Sequence, residues 1–173
     1  MRPTFFAKIF IFLFSISFIF LSCKKENVTT ENISAIKTGW ITSGTWKVKD
    51  LVLAYPVNLG TGDLPVGFSV YNLTPYLPVS GPVIDSTKTN TYTFNADKSY
   101  VISGNTKLLL PIAGNAGKWQ LEIYDAVLRV TATDKQTAPY WTNNITATNW
   151  SIGLTIYLVE ADANLPVNLL LEK

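Results

Sequence analysis

The stretch Thr91-Tyr92-Thr93-Phe94-Asn95-Ala96-Asp97-Lys98-Ser99-Tyr100-Val101-Ile102-Ser103 decides the fold class. Its first arm alternates Tyr92 and Phe94 with Thr91 and Thr93. Its second alternates Tyr100 and Ile102 with Ser99, Val101 and Ser103. A period of two in aromatic and β-branched residues marks a half-buried strand. Between the arms, Asn95 and Asp97 supply turn chemistry, because short polar side chains bond their own backbone. The segment therefore reads as a β-hairpin, closed by Gly104-Asn105.

The same pattern repeats downstream. Trp119, Leu121 and Ile123 share one face, opposite Lys118, Gln120, Glu122 and Tyr124. Asp125-Ala126 reverses the chain, and Leu128, Val130 and Ala132 carry the return strand. Residues 135–144, with Pro139-Tyr140-Trp141, read as a loop. Trp150, Ile152, Leu154, Ile156 and Leu158 then alternate with Ser151, Gly153, Thr155 and Tyr157 in one long strand. Residues 162–166 read as a turn before a final strand through Val167, Leu169 and Leu171.

Upstream, Trp46 and Val48 alternate with Lys47 and Lys49 in a strand expected over 45–54. The apolar run Leu51-Val52-Leu53 breaks that alternation and predicts a bulge near Asp50. Residues 107–112 suggest a short strand edge. Residues 55–86 have a different texture, with Pro56, Pro65, Pro75, Pro78 and Pro82 among several glycines. Proline is kept out of strand interiors, so only 66–71 reads as a strand there. Phe68, Val70, Tyr71 and Leu77 make the segment too apolar for disorder, and it is expected to pack over one end of the domain. Beyond a helical turn at 31–37, no helix is expected after the leader. About eight strands in hairpin order give an all-β class: an up-and-down antiparallel barrel or a strongly curved sheet. Closure removes the exposed strand edges.

The N-terminus has its own logic. Arg2 and Lys8 precede an apolar run over 9–21, broken by Ser15 and Ser17. This is shorter than the roughly 20 residues of a spanning helix. A basic start, a short apolar stretch and a small residue make a secretory leader. The small residue is Ser22, and Cys23, the single cysteine, follows it. The expected organisation is a signal peptide over 1–22, a polar tether over 23–38 and a β domain over 39–173 with its insertion at 55–86. Of 14 basic side chains two lie in the leader, so the remainder balances the 12 acidic ones. No basic field is left to hold nucleic acid.

The chain has no His, and its one Met is Met1. Without His there is no Ser-His-Asp or Cys-His arrangement, no imidazole base and no zinc site of the usual His/Cys kind. No metal site or cofactor is expected. Carboxylates, lysines, tyrosines and hydroxyls remain. A glycosidase needs two carboxyls at a set separation, and Glu122 and Asp125 stand at strand and turn positions suited to solvated charge. A non-catalytic protein is the expectation.

Several motifs now converge on a resemblance. Ser22-Cys23 followed by Lys24-Lys25-Glu26 resembles the leader of bacterial lipoproteins, although Phe20 and Leu21 replace the usual Leu and small residue. Gly44-Thr45-Trp46 resembles the Gly-x-Trp opening of lipocalins, whose Trp plugs the closed end of the barrel. The 92–100 hairpin, Gly117-Lys118-Trp119 and Trp150-Ser151-Ile152 resemble lipocalin-like lipoproteins of the Bacteroidota. The resemblance implies lipidation of Cys23 and a place in the cell envelope, at the outer membrane.

Trp46, Phe94, Trp119 and Trp150 are expected as core aromatics. Tyr140 and Trp141, with Phe68 and Tyr71 of the insertion, are the candidate ligand contacts. A barrel of about eight strands holds one small ligand or is filled by its own side chains. The leading expectation is therefore an anchored module for a small hydrophobic ligand. The alternative is an envelope subunit that contacts a protein partner or carbohydrate through surface loops.

Overall fold

The computed structural model describes residues 30–59, 62–104, 114–134 and 136–173. Cys23, the leader and the strand edge expected at 107–112 lie outside them. The fold is a closed antiparallel barrel of eight strands. These are β1 (Thr45–Leu53), β4 (Thr91–Phe94), β5 (Ser99–Ser103), β6 (Ala116–Glu122), β7 (Val127–Ala132), β8 (Thr137–Ile145), β9 (Asn149–Leu158) and β10 (Ala163–Glu172). Each pairs with its neighbour in sequence, and β10 returns to β1. The short ribbon β2 (Val57–Asn58) and β3 (Asp63–Leu64) stands apart.

The 92–100 hairpin forms as its pattern requires, with Phe94 opposite Tyr100 and Tyr92 opposite Ile102. In its turn, Lys98 adopts φ 65° and Asp97 Oδ1 accepts the Ser99 amide at 2.9 Å. Trp46, Phe94, Trp119 and Trp150 all point inward and are buried. Their rings make one cluster: Trp46 to Trp150 at 5.6 Å, Phe94 to Trp150 at 5.2 Å and Phe94 to Trp119 at 5.6 Å. Such edge-on and tilted geometries suit aromatic quadrupoles. Gly117 lets this packing close, because a Cβ there would lie 2.8 Å from Tyr100 Cε1 and 2.1 Å from the Thr131 carbonyl. The bulge expected near Asp50 appears as a register shift between Val48 and Asp50 against β10. Asp50 Oδ1 accepts from the Leu51 amide and the Ser69 hydroxyl there, at 2.7 and 2.6 Å.

Three readings of local structure are corrected. The first concerns the helical turn read at 31–37, which is part of a longer helix, α1 (Thr30–Thr42). Its large apolar residues are Ile33, Ile36, Trp40 and Ile41, but only Ile41 is buried. A helix docked mainly through its last turn has no reason to show a strong apolar period. That docking is specific: the Trp46 indole N–H donates to the Ile41 carbonyl at 2.9 Å. The Lys173 ammonium donates to the Trp40 carbonyl and lies 4.2 Å from the Trp46 ring centroid. A cation at exposed helix carbonyls satisfies groups the helix leaves unpaired.

Second, residues 137–145 are strand β8 rather than loop. Pro139 misled the reading because it lacks an amide for the ladder. β8 nevertheless pairs along both sides, with a register shift between Asn143 and Ile145. Likewise β10 begins at Ala163 and carries Pro166 opposite Thr155.

Third, 66–71 is not a strand. The insertion folds as 3-10 turns at Val70–Asn72, Thr74–Tyr76 and Thr87–Thr89 and the helix α2 (Ser80–Ser86), leaving one bridge from Ser69 to Val52. β1 and β4 pair only over Thr45–Lys47. Above that seam the insertion bonds to β1 instead, the Leu53 amide donating to the Phe68 carbonyl at 3.0 Å. Val70, Leu77 and Ile84 bring the insertion into the barrel core.

A carboxylate latches the insertion to the β9–β10 turn. Glu160 accepts from the amides of Val79 and Ser80 at 2.6 and 2.7 Å, and from the Ser80 hydroxyl at 2.6 Å. Desolvation pushes this carboxyl up, but the Ser80 hydroxyl and the surrounding amides outweigh it and hold the group at about 2, against an ordinary 4.5. The ionised form is the bonded one. Its contribution to stability is therefore complete above pH 4.5 and is lost as pH falls towards about 2. The urea midpoint is expected to drop more steeply across that interval in the native chain than in Glu160→Gln. Amide exchange at Val79 and Ser80 should accelerate over the same interval. Parallel pH profiles for the two chains would show that the latch contributes nothing.

Candidate functional site

Among the described residues, buried side chains pack together in the interior. All eight strands contribute buried side chains to one cluster, joined by Ile41 from α1 and by Val70, Leu77 and Ile84 from the insertion. The wall of the barrel is different. Over the outer face of β8, β9 and β10 runs a groove of about 540 Å³.

Strand alternation builds this groove. On β8, Ala138 and Tyr140 point inward and are buried, so Trp141 points outward and is 63 % exposed. Trp141 pairs with Gly153 on β9, and Gly153 pairs with Asn168 on β10. Gly153 therefore forms a floor without a side chain between an indole and a carboxamide. Beyond β10, Tyr55 stands at the end of β1 and lines the far side, 66 % exposed. The Ala54 amide holds that corner by donating to the Pro166 carbonyl at 3.0 Å. From β8 to β1 is three strand spacings, about 14 Å, which is room for a ring or two between the aromatics.

The polar groups of the groove are neutral. Asn143 Nδ2 donates to Asn168 Oδ1 at 3.2 Å. This uses one donor and one acceptor, and leaves the Asn143 carbonyl and the Asn168 amide with bonding capacity. The Thr155 hydroxyl and the ring of Pro166 complete the lining.

Of the four expected ligand contacts, Tyr140 and Trp141 both border the outer groove, and Phe68 and Tyr71 stand elsewhere. Trp141 lines the outer groove. Tyr140 faces the core, next in sequence but on the other side of the sheet. Phe68 and Tyr71 lie in the insertion, packed against the core. The Tyr71 hydroxyl is 3.0 Å from Thr87 Oγ1, and the Lys88 ammonium sits 4.7 Å from the ring centroid. Burial raises the Tyr71 pKa, opposed by the Thr87 hydrogen bond.

Sequence reasoning missed Tyr55, Asn143, Gly153 and Asn168. One signal was present. An isolated glycine within an alternating strand points to a bulge or a close approach of another group, and Gly153 sits at the centre of the 150–158 alternation.

Among the described residues no group of three or more His, Cys, Asp or Glu stands close enough to hold a metal ion. The polar contacts of the carboxylates are structural: Glu122 with Arg129 at 2.7 Å, Asp125 with Ser34 at 2.8 Å, and Glu160 at the latch. No family model and no curated protein matches this chain.

Proposed function

We propose that this chain is a membrane-anchored, non-catalytic binding module that recognises carbohydrate in the groove between Trp141 and Tyr55. The carrying observation is the outward Trp141 beside the bare floor at Gly153. A flat indole face accepts the apolar face of a pyranose, and neutral carboxamides and a hydroxyl satisfy its ring hydroxyls. The neutrality of Asn143, Asn168 and Thr155 favours an uncharged glycan over an acidic one.

Anchoring rests on Cys23 and its leader, and the resemblance to lipocalin-like lipoproteins supports a location at the outer membrane of a cell envelope. Carriage of a small hydrophobic ligand inside the barrel takes second place. A core cluster to which every strand contributes, joined by Ile41 of α1 and by Val70, Leu77 and Ile84 of the insertion, gives such a ligand little support.

The test is titration of the full chain with a panel of neutral polysaccharides and with fatty acids, read by tryptophan fluorescence and calorimetry. A neutral polysaccharide is expected to bind. Trp141→Ala should weaken it about tenfold or more, equal to about 1.4 kcal/mol, with the melting temperature unchanged. Binding of fatty acids alone, or glycan binding indifferent to Trp141→Ala, would defeat the proposal.

A further inference from the structure

We infer that the α1 end of the barrel is a membrane seat, with the Ile123-Tyr124 turn resting in the interfacial layer of a lipid bilayer. The inference rests on the anchored reading of residues 1–23.

The turn between β6 and β7 is unusual for its residues. Ile123, Tyr124 and Asp125 take φ values of 50°, 54° and 63° in succession. Left-handed backbone is disfavoured for L-residues and most of all for a β-branched one. Gly or Asn would make the turn at less strain. Instead Ile123 is 63 % exposed and Tyr124 is 87 % exposed. A strained turn persists when its surroundings over-determine it, and here they do. The buried Asp125 carboxylate accepts from Ser34 Oγ at 2.8 Å and pairs with Lys37 Nζ at 3.6 Å. The Asp125 carbonyl accepts from the Thr142 hydroxyl at 2.7 Å. The turn is thus bolted to α1 while its two largest apolar side chains face outward.

Helix α1 extends the surface. Ser34 and Lys37 face the turn, and the residues just before them, Ile33 and Ile36, are exposed. Ile33 and Ile36 of α1, with Ile123 and Tyr124 of the turn, give the α1 end four exposed apolar side chains.

The chain itself names the occupant. Helix α1 begins at Thr30, seven residues after Cys23. Seven residues reach at most about 25 Å. An acylated Cys23, or an apolar run retained over 9–21, holds this end of the barrel against the bilayer. Tyrosine suits that depth, with its ring in the apolar layer and its hydroxyl in water. Seated this way, the barrel keeps the insertion at the far end and the groove on its flank.

Tyr76, in the insertion, is 80 % exposed and serves as the internal reference. The full chain, purified from membranes and reconstituted into phosphatidylethanolamine and phosphatidylglycerol vesicles, is floated and then footprinted with hydroxyl radicals. The chain is expected to float, and Tyr124 to oxidise several-fold more slowly than Tyr76. A floating chain in which both tyrosines oxidise alike overturns the seat and leaves the anchor standing. A chain that does not float overturns both.

Discussion

Trp46→Ala is expected to cost about 3–5 kcal/mol of stability, the usual loss for a fully buried aromatic. A small domain has only about 5–15 kcal/mol in total. Trp46 has no exposed surface and joins three parts of the molecule. Its ring packs edge-on against Trp150, its N–H holds the Ile41 carbonyl, and Lys173 lies over its face. Removing it leaves a void between β1 and β9 and releases both the C-terminal turn of α1 and the last residue of the chain. Trp46→Phe separates these effects. The ring is largely kept, but the Ile41 carbonyl is orphaned, at about 1–3 kcal/mol. Amide exchange in α1 should then rise before exchange in the barrel strands. Urea melts and exchange mass spectrometry check both variants. A Trp46→Ala chain destabilised by less than about 1 kcal/mol, below the range for a buried aromatic, would mean that the closed end collapses around the gap.

Gly153 offers the second large effect, and here stability and binding are expected to move apart. Its backbone lies outside the left-handed region, and an added Cβ would meet Trp141 Cβ at 3.5 Å, Asn143 Nδ2 at 3.6 Å and Asn168 Oδ1 at 3.7 Å. These are ordinary contacts, so neither conformation nor packing demands glycine. Glycine in a strand costs about 0.5–1 kcal/mol relative to alanine. Gly153→Ala should therefore raise the melting temperature by about 1–4 °C for a chain of this size. Gly153→Val suits a strand still better but fills the groove floor, and glycan binding should be lost while the fold holds. Calorimetric melts and titrations read the two properties independently. A Gly153→Val chain that binds as well as the native one would remove the groove from consideration. A Gly153→Ala chain that melts lower would show a structural need for the glycine.

How far the site was legible follows from where its residues stand. Trp141 carried a signal by itself, as an aromatic among polar neighbours. Tyr140 borders the same groove, but its side chain is buried on the core side, because adjacent residues on a strand point to opposite faces. Reading 135–144 as loop hid that alternation. Tyr55, Gly153 and Asn168 come from three segments up to 113 positions apart, and only the β8–β9–β10–β1 order sets them side by side. No local pattern encodes that order.

The sequence by itself determined the class and most of the strands. Alternation is local, and hairpin turns such as 95–98 use residues that are neighbours in the chain. It also marked the core aromatics, because a large apolar ring on an alternating strand has few places to go but inward. Tertiary structure decided what alternation cannot express. It set the closure of β10 onto β1, the docking of α1 through one indole hydrogen bond, and the fold of a proline-rich insertion latched by Glu160. It also decided which side of the wall Trp141 faces. Each of these depends on contacts between distant parts of the chain, which exist only once the barrel has closed.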